Sequence, residues 1–176
     1  MTRTLALALS VLLLAGCEER VRPSVVPLAT DSLPSQESWR STVRLTDSAR
    51  VRAVLWAGHI ATFAEDQYTL LGDSVHVTFF NERGEPSSTL TARRGKVDDR
   101  TRDFEAYEQV VVCSEDSTVL RTDRLFWTNA TRLIHTDAYV EIVSPREVIR
   151  GQGLESDQSL TNYRIFRVTG RSAADG

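Results

Sequence analysis

Strict two-residue alternation, with no helical stripe to compete with it, is what most constrains this chain. In Val75-His76-Val77-Thr78-Phe79 every second residue is apolar, the signature of a strand with one buried face. Val43 and Leu45 alternate with polar neighbours in the same way, and Val51, Ala53 and Leu55 continue the pattern. Shorter apolar runs follow at Val110 to Val112, Leu125 to Trp127, Tyr139 to Val143 and Tyr163 to Val168. Turn-forming clusters separate them: Asn81-Glu82-Arg83-Gly84, Asp98-Asp99-Arg100, Ser114-Glu115-Asp116-Ser117, Thr128-Asn129-Ala130 and Ser144-Pro145. No stretch of twelve residues keeps a period near 3.6. Many short antiparallel strands at even spacing predict an all-β sandwich, jelly roll or barrel.

A faint repeat runs through the second half. Leu90-Thr-Ala-Arg-Arg-Gly95, Leu120-Arg-Thr-Asp-Arg-Leu125 and Ile149-Arg-Gly-Gln-Gly-Leu154 each lead through a turn to another apolar run. The spacing of about 30 residues is that of stacked supersecondary units. It predicts three or four short strands per unit.

The N-terminus has a different character. Arg3, an apolar run from Leu5 to Leu14 and the sequence Leu14-Ala15-Gly16-Cys17 form a bacterial lipobox. The run is shorter than the roughly 20 residues a membrane span needs. Cleavage before Cys17 and acylation of its thiol are expected, placing the mature chain outside the cytoplasm on a lipid anchor. Pro23, Pro27 and Pro34 then punctuate a polar segment that reads as an extended tether. The expected organisation is a signal peptide at 1–16, a lipidated tether at 17–38, a β-domain at 39–170 and a disordered tail at 171–176.

Composition excludes more than it suggests. A formal net charge of −3 without a clustered basic surface argues against nucleic acid as a partner. With Cys17 lipidated, Cys113 is the sole remaining thiol, so an intramolecular disulfide is excluded. Its place after Val110-Val111-Val112 suggests a buried thiol acting as a small apolar residue. His59, His76 and His135 are too scattered for a zinc site, and His76 is expected to face solvent. Asp98-Asp99 and Glu115-Asp116 sit in turn sequences, where acidic residues accept backbone hydrogen bonds. Gly151-Gln152-Gly153 lacks the third glycine and the βαβ setting of a nucleotide loop. Catalytic residues, a metal and a cofactor are therefore not expected.

If a function resides in the fold itself, it resides on the inward face. Alternation assigns Val75, Val77, Phe79, Leu90, Ala92, Val110, Val112, Leu120, Leu125, Trp127, Val140, Ile142 and Ile149 to that face. Such a face closes into a dry core or opens as an apolar groove.

A resemblance selects between these. Tyr68-Thr-Leu-Leu-Gly-Asp-Ser-Val-His-Val-Thr-Phe-Phe80, with Gly84 and Ser88-Thr-Leu-Thr-Ala92, is similar to the middle of the LptC family of periplasmic lipopolysaccharide-export proteins. The stretch Ile149-Arg-Gly-Gln-Gly-Leu-Glu-Ser-Asp-Gln-Ser-Leu-Thr-Asn-Tyr-Arg-Ile165, closing on Val168-Thr-Gly170, resembles that family's C-terminal signature more closely. The resemblance implies a twisted, open β-jelly roll of the OstA/LptA-like type. Its groove would cradle lipopolysaccharide acyl chains on Val75, Val77, Phe79, Leu90, Val110, Val112, Leu120, Leu125, Trp127, Val140 and Ile142. Its N-terminal edge would meet the β-domains of LptF and LptG in the inner-membrane ABC transporter. Its C-terminal edge, with Ile149, Gly151, Gly153, Leu154, Tyr163 and Ile165, would meet the LptA carrier.

The chain departs from the family pattern twice. A lipobox replaces the usual membrane helix, and Glu108 stands where the family often has glycine, which predicts a local turn or bulge. Periplasmic localisation on the inner membrane is expected. Because Glu18 rather than Asp follows Cys17, the sequence leaves outer-membrane sorting open. Two rival readings are a scaffolding envelope lipoprotein with a dry core that binds only proteins, and a jelly-roll enzyme acting on envelope glycans.

Overall fold

In the computed structural model the described residues are 33–47 and 49–173. They form ten antiparallel strands in one sheet: β1 (Gln36–Asp47), β2 (Arg50–Phe63), β3 (Tyr68–Phe80), β4 (Pro86–Ala92), β5 (Arg94–Asp98), β6 (Phe104–Ser114), β7 (Val119–Thr128), β8 (Leu133–Val143), β9 (Glu147–Asp157) and β10 (Tyr163–Ala173). The order is β1-β2-β3-β4-β6-β7-β8-β9-β10, with β5 pairing β3 and β6. Strands β1 and β10 end the sheet, each with a single neighbour. The all-β expectation holds, and the arrangement is consistent with an open β-jelly roll.

The sheet does not stay flat because almost every strand breaks register at the same level. Pairing shifts between Ala57 and His59 on β2, Tyr107 and Val110 on β6, Thr122 and Phe126 on β7, and Thr136 and Tyr139 on β8. Following the register, these shifts face Asp73 and Ser74 on β3, the β4–β5 break at Arg93, and Gly153 on β9. They form one crease across the sheet. Bulges bend strands and sharpen local twist, so an aligned row of them folds the sheet into two facing limbs. The first limb holds 50–57, 75–92, 110–122 and 139–152; the second holds 59–72, 94–107, 125–136 and 154–165.

The crease is demanding of backbone. Asp73, Ser74, Glu108 and Gln109 all have positive φ, from 54° to 77°, a conformation that costs a non-glycine residue of order 1 kcal/mol or more. The bulge expected at Glu108 is therefore present, spanning Glu108 and Gln109. Thr122 lies inside the crease and donates its hydroxyl to the Tyr139 carbonyl at 2.9 Å, partnering a group near the register break. Each strand inserts enough residues there to keep its apolar side turned inward.

That continuity builds one core across both limbs. Val75, Val77, Leu90, Val110, Val112, Leu120, Val140 and Ile142 join Ala106, Leu125, Ile134 and Leu154 in it. Each buried Val, Leu or Ile contributes about 1.5–3 kcal/mol. Phe79 and Trp127 meet across the limbs at a ring separation of 6.2 Å. The Ser88 hydroxyl donates to the Gln158 carbonyl at 2.6 Å, tying β4 to the β9–β10 turn. Leu160, in that turn, is 1% exposed and closes the core from below.

Four expectations need correcting. The units beginning at Leu120 and Ile149 each contain two long strands rather than three or four short ones, β7 with β8 and β9 with β10, while the unit beginning at Leu90 holds the end of β4, the short β5 and β6. The short apolar runs are halves of strands bent at the crease, not separate strands. Cys113 is exposed, because Val110 and Val112 take the inward positions and period two turns Val111 and Cys113 outward. Finally, β1 begins at Gln36, inside the expected tether, and β10 continues to Ala173, inside the expected tail. Both ends are held by ladder pairs, Gln36 with Thr62 and Ala173 with Glu147. Cys17, the lipobox and the proline-bearing segment up to Ser32 lie outside the described residues.

Candidate functional site: an apolar cleft between two open edges

The core is not filled evenly. Between the limbs at the β1–β3 end lies a cleft of about 650 Å³. Its apolar lining includes Leu45 of β1, Ala53 and Leu55 of β2, Val77 and Phe79 of β3, and Val97, Phe104 and Trp127 from the facing limb. On β2 the inward positions carry Ala53, Leu55 and Ala57, with Ile60 beyond the crease. Small side chains on one wall leave volume that the opposite wall does not reach across to fill. At the β6–β10 end the same positions carry Leu120, Leu125, Val140, Ile142 and Leu154, all at most 1% exposed. There the limbs meet and the interior is packed.

The expected groove residues therefore divide. Val77, Phe79 and Trp127 line the cleft. Val75, Leu90, Val110, Val112, Leu120, Leu125, Val140 and Ile142 are buried in the core and do not line it. Apolar lining residues that were not among those expected include Leu45, Ala53, Leu55, Val97 and Phe104. The alternation of Val51, Ala53 and Leu55 was visible in the sequence and marks one wall. Nothing local marks Val97 and Phe104, which reach the cleft only because the crease brings the second limb over.

The mouth of the cleft is polar. Arg44, Arg52, Arg102 and Arg132 line it with Asp47. Asp47 Oδ2 lies 3.3 Å from Arg132 Nη2 and 3.7 Å from Arg52 Nη2. The first of these pairs links the two limbs; the other ion pairs among the described residues join neighbouring strands or lie within one turn.

The edges differ from the expectation too. Ile149, Gly151, Gly153 and Leu154 belong to β9, which is hydrogen-bonded on one side to β8 and on the other to β10. They are not at an edge; the free edge is β10, carrying Tyr163 and Ile165. Their conformation explains the glycines. A Cβ on Gly151 would lie 2.5 Å from the Arg167 carbonyl oxygen, and Gly153 has φ +77° at the crease. Tyr163 and Ile165 turn inward and pack against the core. Burial holds the Tyr163 hydroxyl above its usual titration range. The exposed apolar residues of β10 are Phe166 and Val168, 55% and 56% exposed, and those of β1 are Trp39 and Val43. Sequence alternation could have found Phe166 and Val168 once Ile165 was known to face inward.

The polar candidates for chemistry serve other purposes. Asp98 accepts the backbone N–H groups of Thr101 and Arg100 at 2.9 Å, and the Thr101 N–H above all holds its carboxyl below the usual range. Asp99 accepts the Thr69 hydroxyl. Asp116 is likewise held low by the Ser114 hydroxyl and the Thr118 N–H. His59 pairs with Glu37 at 2.8 Å and stacks on Trp39, while His135 stacks on Phe126. Among the described residues no three His, Cys, Asp or Glu side chains are grouped to hold a metal ion.

Comparison with curated proteins returns no match. A family model described as "Lipopolysaccharide-assembly, LptC-related" matches residues 4–171. That family works in lipopolysaccharide transport and is not a family of enzymes. With the match spanning nearly all of the ten-stranded domain, the chain belongs to the LptC family.

Proposed function

We propose that this chain is a lipid-anchored, non-enzymatic component of the periplasmic lipopolysaccharide-export bridge. It accepts lipopolysaccharide from the inner-membrane ABC transporter and passes it to the LptA carrier. The observation that carries this reading is an apolar cleft lying between limbs of a sheet whose two end strands are each paired on one side only. An apolar interior shelters acyl chains from water, and unpaired edges accept strands from partner sheets. In this reading β1, with Trp39 and Val43 exposed, meets the LptF and LptG β-domains. Strand β10, with Phe166 and Val168 exposed, meets LptA. Export is driven by the transporter, so this chain needs no catalytic group. Acylation of Cys17 holds it at the periplasmic face of the inner membrane.

The reading is tested in three places. A Cys17→Ala chain should lose its lipid and its membrane fraction while keeping its fold. Val168→Pro, which removes a donor from the edge strand, should abolish capture of LptA while leaving lipid binding intact; unchanged capture refutes the β10 assignment. Fluorescent acyl probes should bind the purified domain and be displaced by lipopolysaccharide. A domain that binds partners but no probe would instead be the protein-only scaffold, a reading that the packed β6–β10 interior favours.

A further inference from the structure

The mouth of the cleft carries more positive charge than a lipid-chain site requires. Four arginines line it against one carboxylate, in a chain whose overall balance is negative. Two donors on residues that line the cleft lack partners: Arg52 Nε and Trp127 Nε1 are both buried and unbonded. A buried donor without an acceptor is costly, and these two belong to residues of the same cleft. The single carboxylate, Asp47, touches two of the arginines through one oxygen, at 3.3 and 3.7 Å, in partly exposed pairs. Such pairs are weak and screened. A phosphate offers more acceptor oxygens than a carboxylate and takes arginine in two-point contacts.

We propose that this mouth recognises the phosphate of an anionic lipid headgroup, with Asp47 occupying the arginines until the phosphate replaces it. The proposal rests on the export reading above and adds to it a selection step: chains enter the cleft, and the headgroup is read at its rim. Replacement of Asp47 also releases the Arg132 contact that joins the two limbs, so headgroup recognition and widening of the mouth are one event. The source is committed to a lipid, because the arginines line a cleft whose walls include Leu45, Leu55, Val77, Phe79 and Val97.

The test measures binding of bisphosphorylated lipid A, the same lipid with its phosphates removed, and inorganic phosphate to the purified full chain. The wild-type chain should bind the phosphorylated lipid at least tenfold more tightly than the dephosphorylated one. Arg52→Gln with Arg132→Gln should erase that difference by weakening the phosphorylated lipid about tenfold more than the dephosphorylated one. Asp47→Asn should raise affinity for the phosphorylated lipid alone. Should the double variant fail to fold, Arg44→Gln with Arg102→Gln, on exposed side chains, should shrink the same preference. A preference surviving in the variants, or an equal loss for both lipids, would overturn the proposal. Tight binding of inorganic phosphate without lipid would also overturn it, in favour of a free-anion site. If the wild-type chain holds both lipids equally, only this proposal fails; if it holds neither, the export reading fails with it.

Discussion

The two ends of the interior share a pattern but not a density. At the β6–β10 end Leu120, Val140, Ile142 and Leu154 are fully buried, with Leu160 closing the turn beneath them. At the β1–β3 end Ala53 and Leu55 face Val97 and Phe104 across a cleft. Both ends obey the same two-residue alternation and are bent by the same crease. Side-chain volume distinguishes them: alanines on β2, leucines and isoleucines on β7, β8 and β9. Alternation decides which face is inside, and residue size decides whether the inside is solid.

The largest expected difference is in stability. Leu154→Ala at the packed end should cost about 2–5 kcal/mol, read as a fall in the chemical-denaturation midpoint. Leu55→Ala at the open end should sit at or below the bottom of that range, because its site already borders empty volume. Equal losses would break the comparison.

Adding volume should separate the ends in the opposite sense. Ala106→Leu, at a position with no exposed surface, should overpack and cost about 1–3 kcal/mol. Ala53→Leu should be accommodated in the cleft with less than about 1 kcal/mol of change. It should nevertheless lower acyl-probe affinity about tenfold, which Ala106→Leu should not do through the cleft. A destabilised Ala53→Leu protein with unchanged probe affinity would place the lipid elsewhere.

Acid should affect the turns of both limbs alike, and only slightly. Asp98 and Asp116 titrate below their ordinary values when folded, Asp98 chiefly through the Thr101 N–H and Asp116 chiefly through the Ser114 hydroxyl. A carboxyl with a depressed folded value stabilises the fold above its unfolded value, about 4, and loses that contribution as pH falls through the folded one. The melting deficits of Asp98→Asn and Asp116→Asn, small at pH 7, should therefore shrink further toward pH 3. A deficit that grows in acid would reverse the sign of the argument.

Much of the fold was legible because it is local. Alternation in 75–79 and 110–112 fixes the inward residues, and the turn clusters at 81–84, 98–100 and 114–117 fall where strands end. The crease was legible only at Glu108, where a departure from glycine drew notice. Asp73, Ser74 and Gln109 adopt the same strained conformation without being turn glycines, because the fold around them demands it. The site was legible on one wall only. Phe79 and Trp127 are 48 positions apart and become neighbours once the sheet folds on its crease. The edge assignment failed for a related reason: Gly151 and Gly153 mark a close strand approach and a positive φ, which resemble a recognition motif in sequence.

The central claim is that acyl chains occupy the β1–β3 cleft and not the packed end. Placing the photo-crosslinking residue benzoylphenylalanine at existing aromatic positions tests it with the least change in volume. Positions Phe79, Phe104 and Trp127 report on the cleft, Tyr163 on the packed end and Trp56 on the outer face. Irradiation of the purified chain with lipopolysaccharide should give strong adducts at the three cleft positions and little at Tyr163 or Trp56. Adducts at Tyr163 or Trp56 as strong as those in the cleft, or none at Phe79, Phe104 and Trp127, would contradict the account.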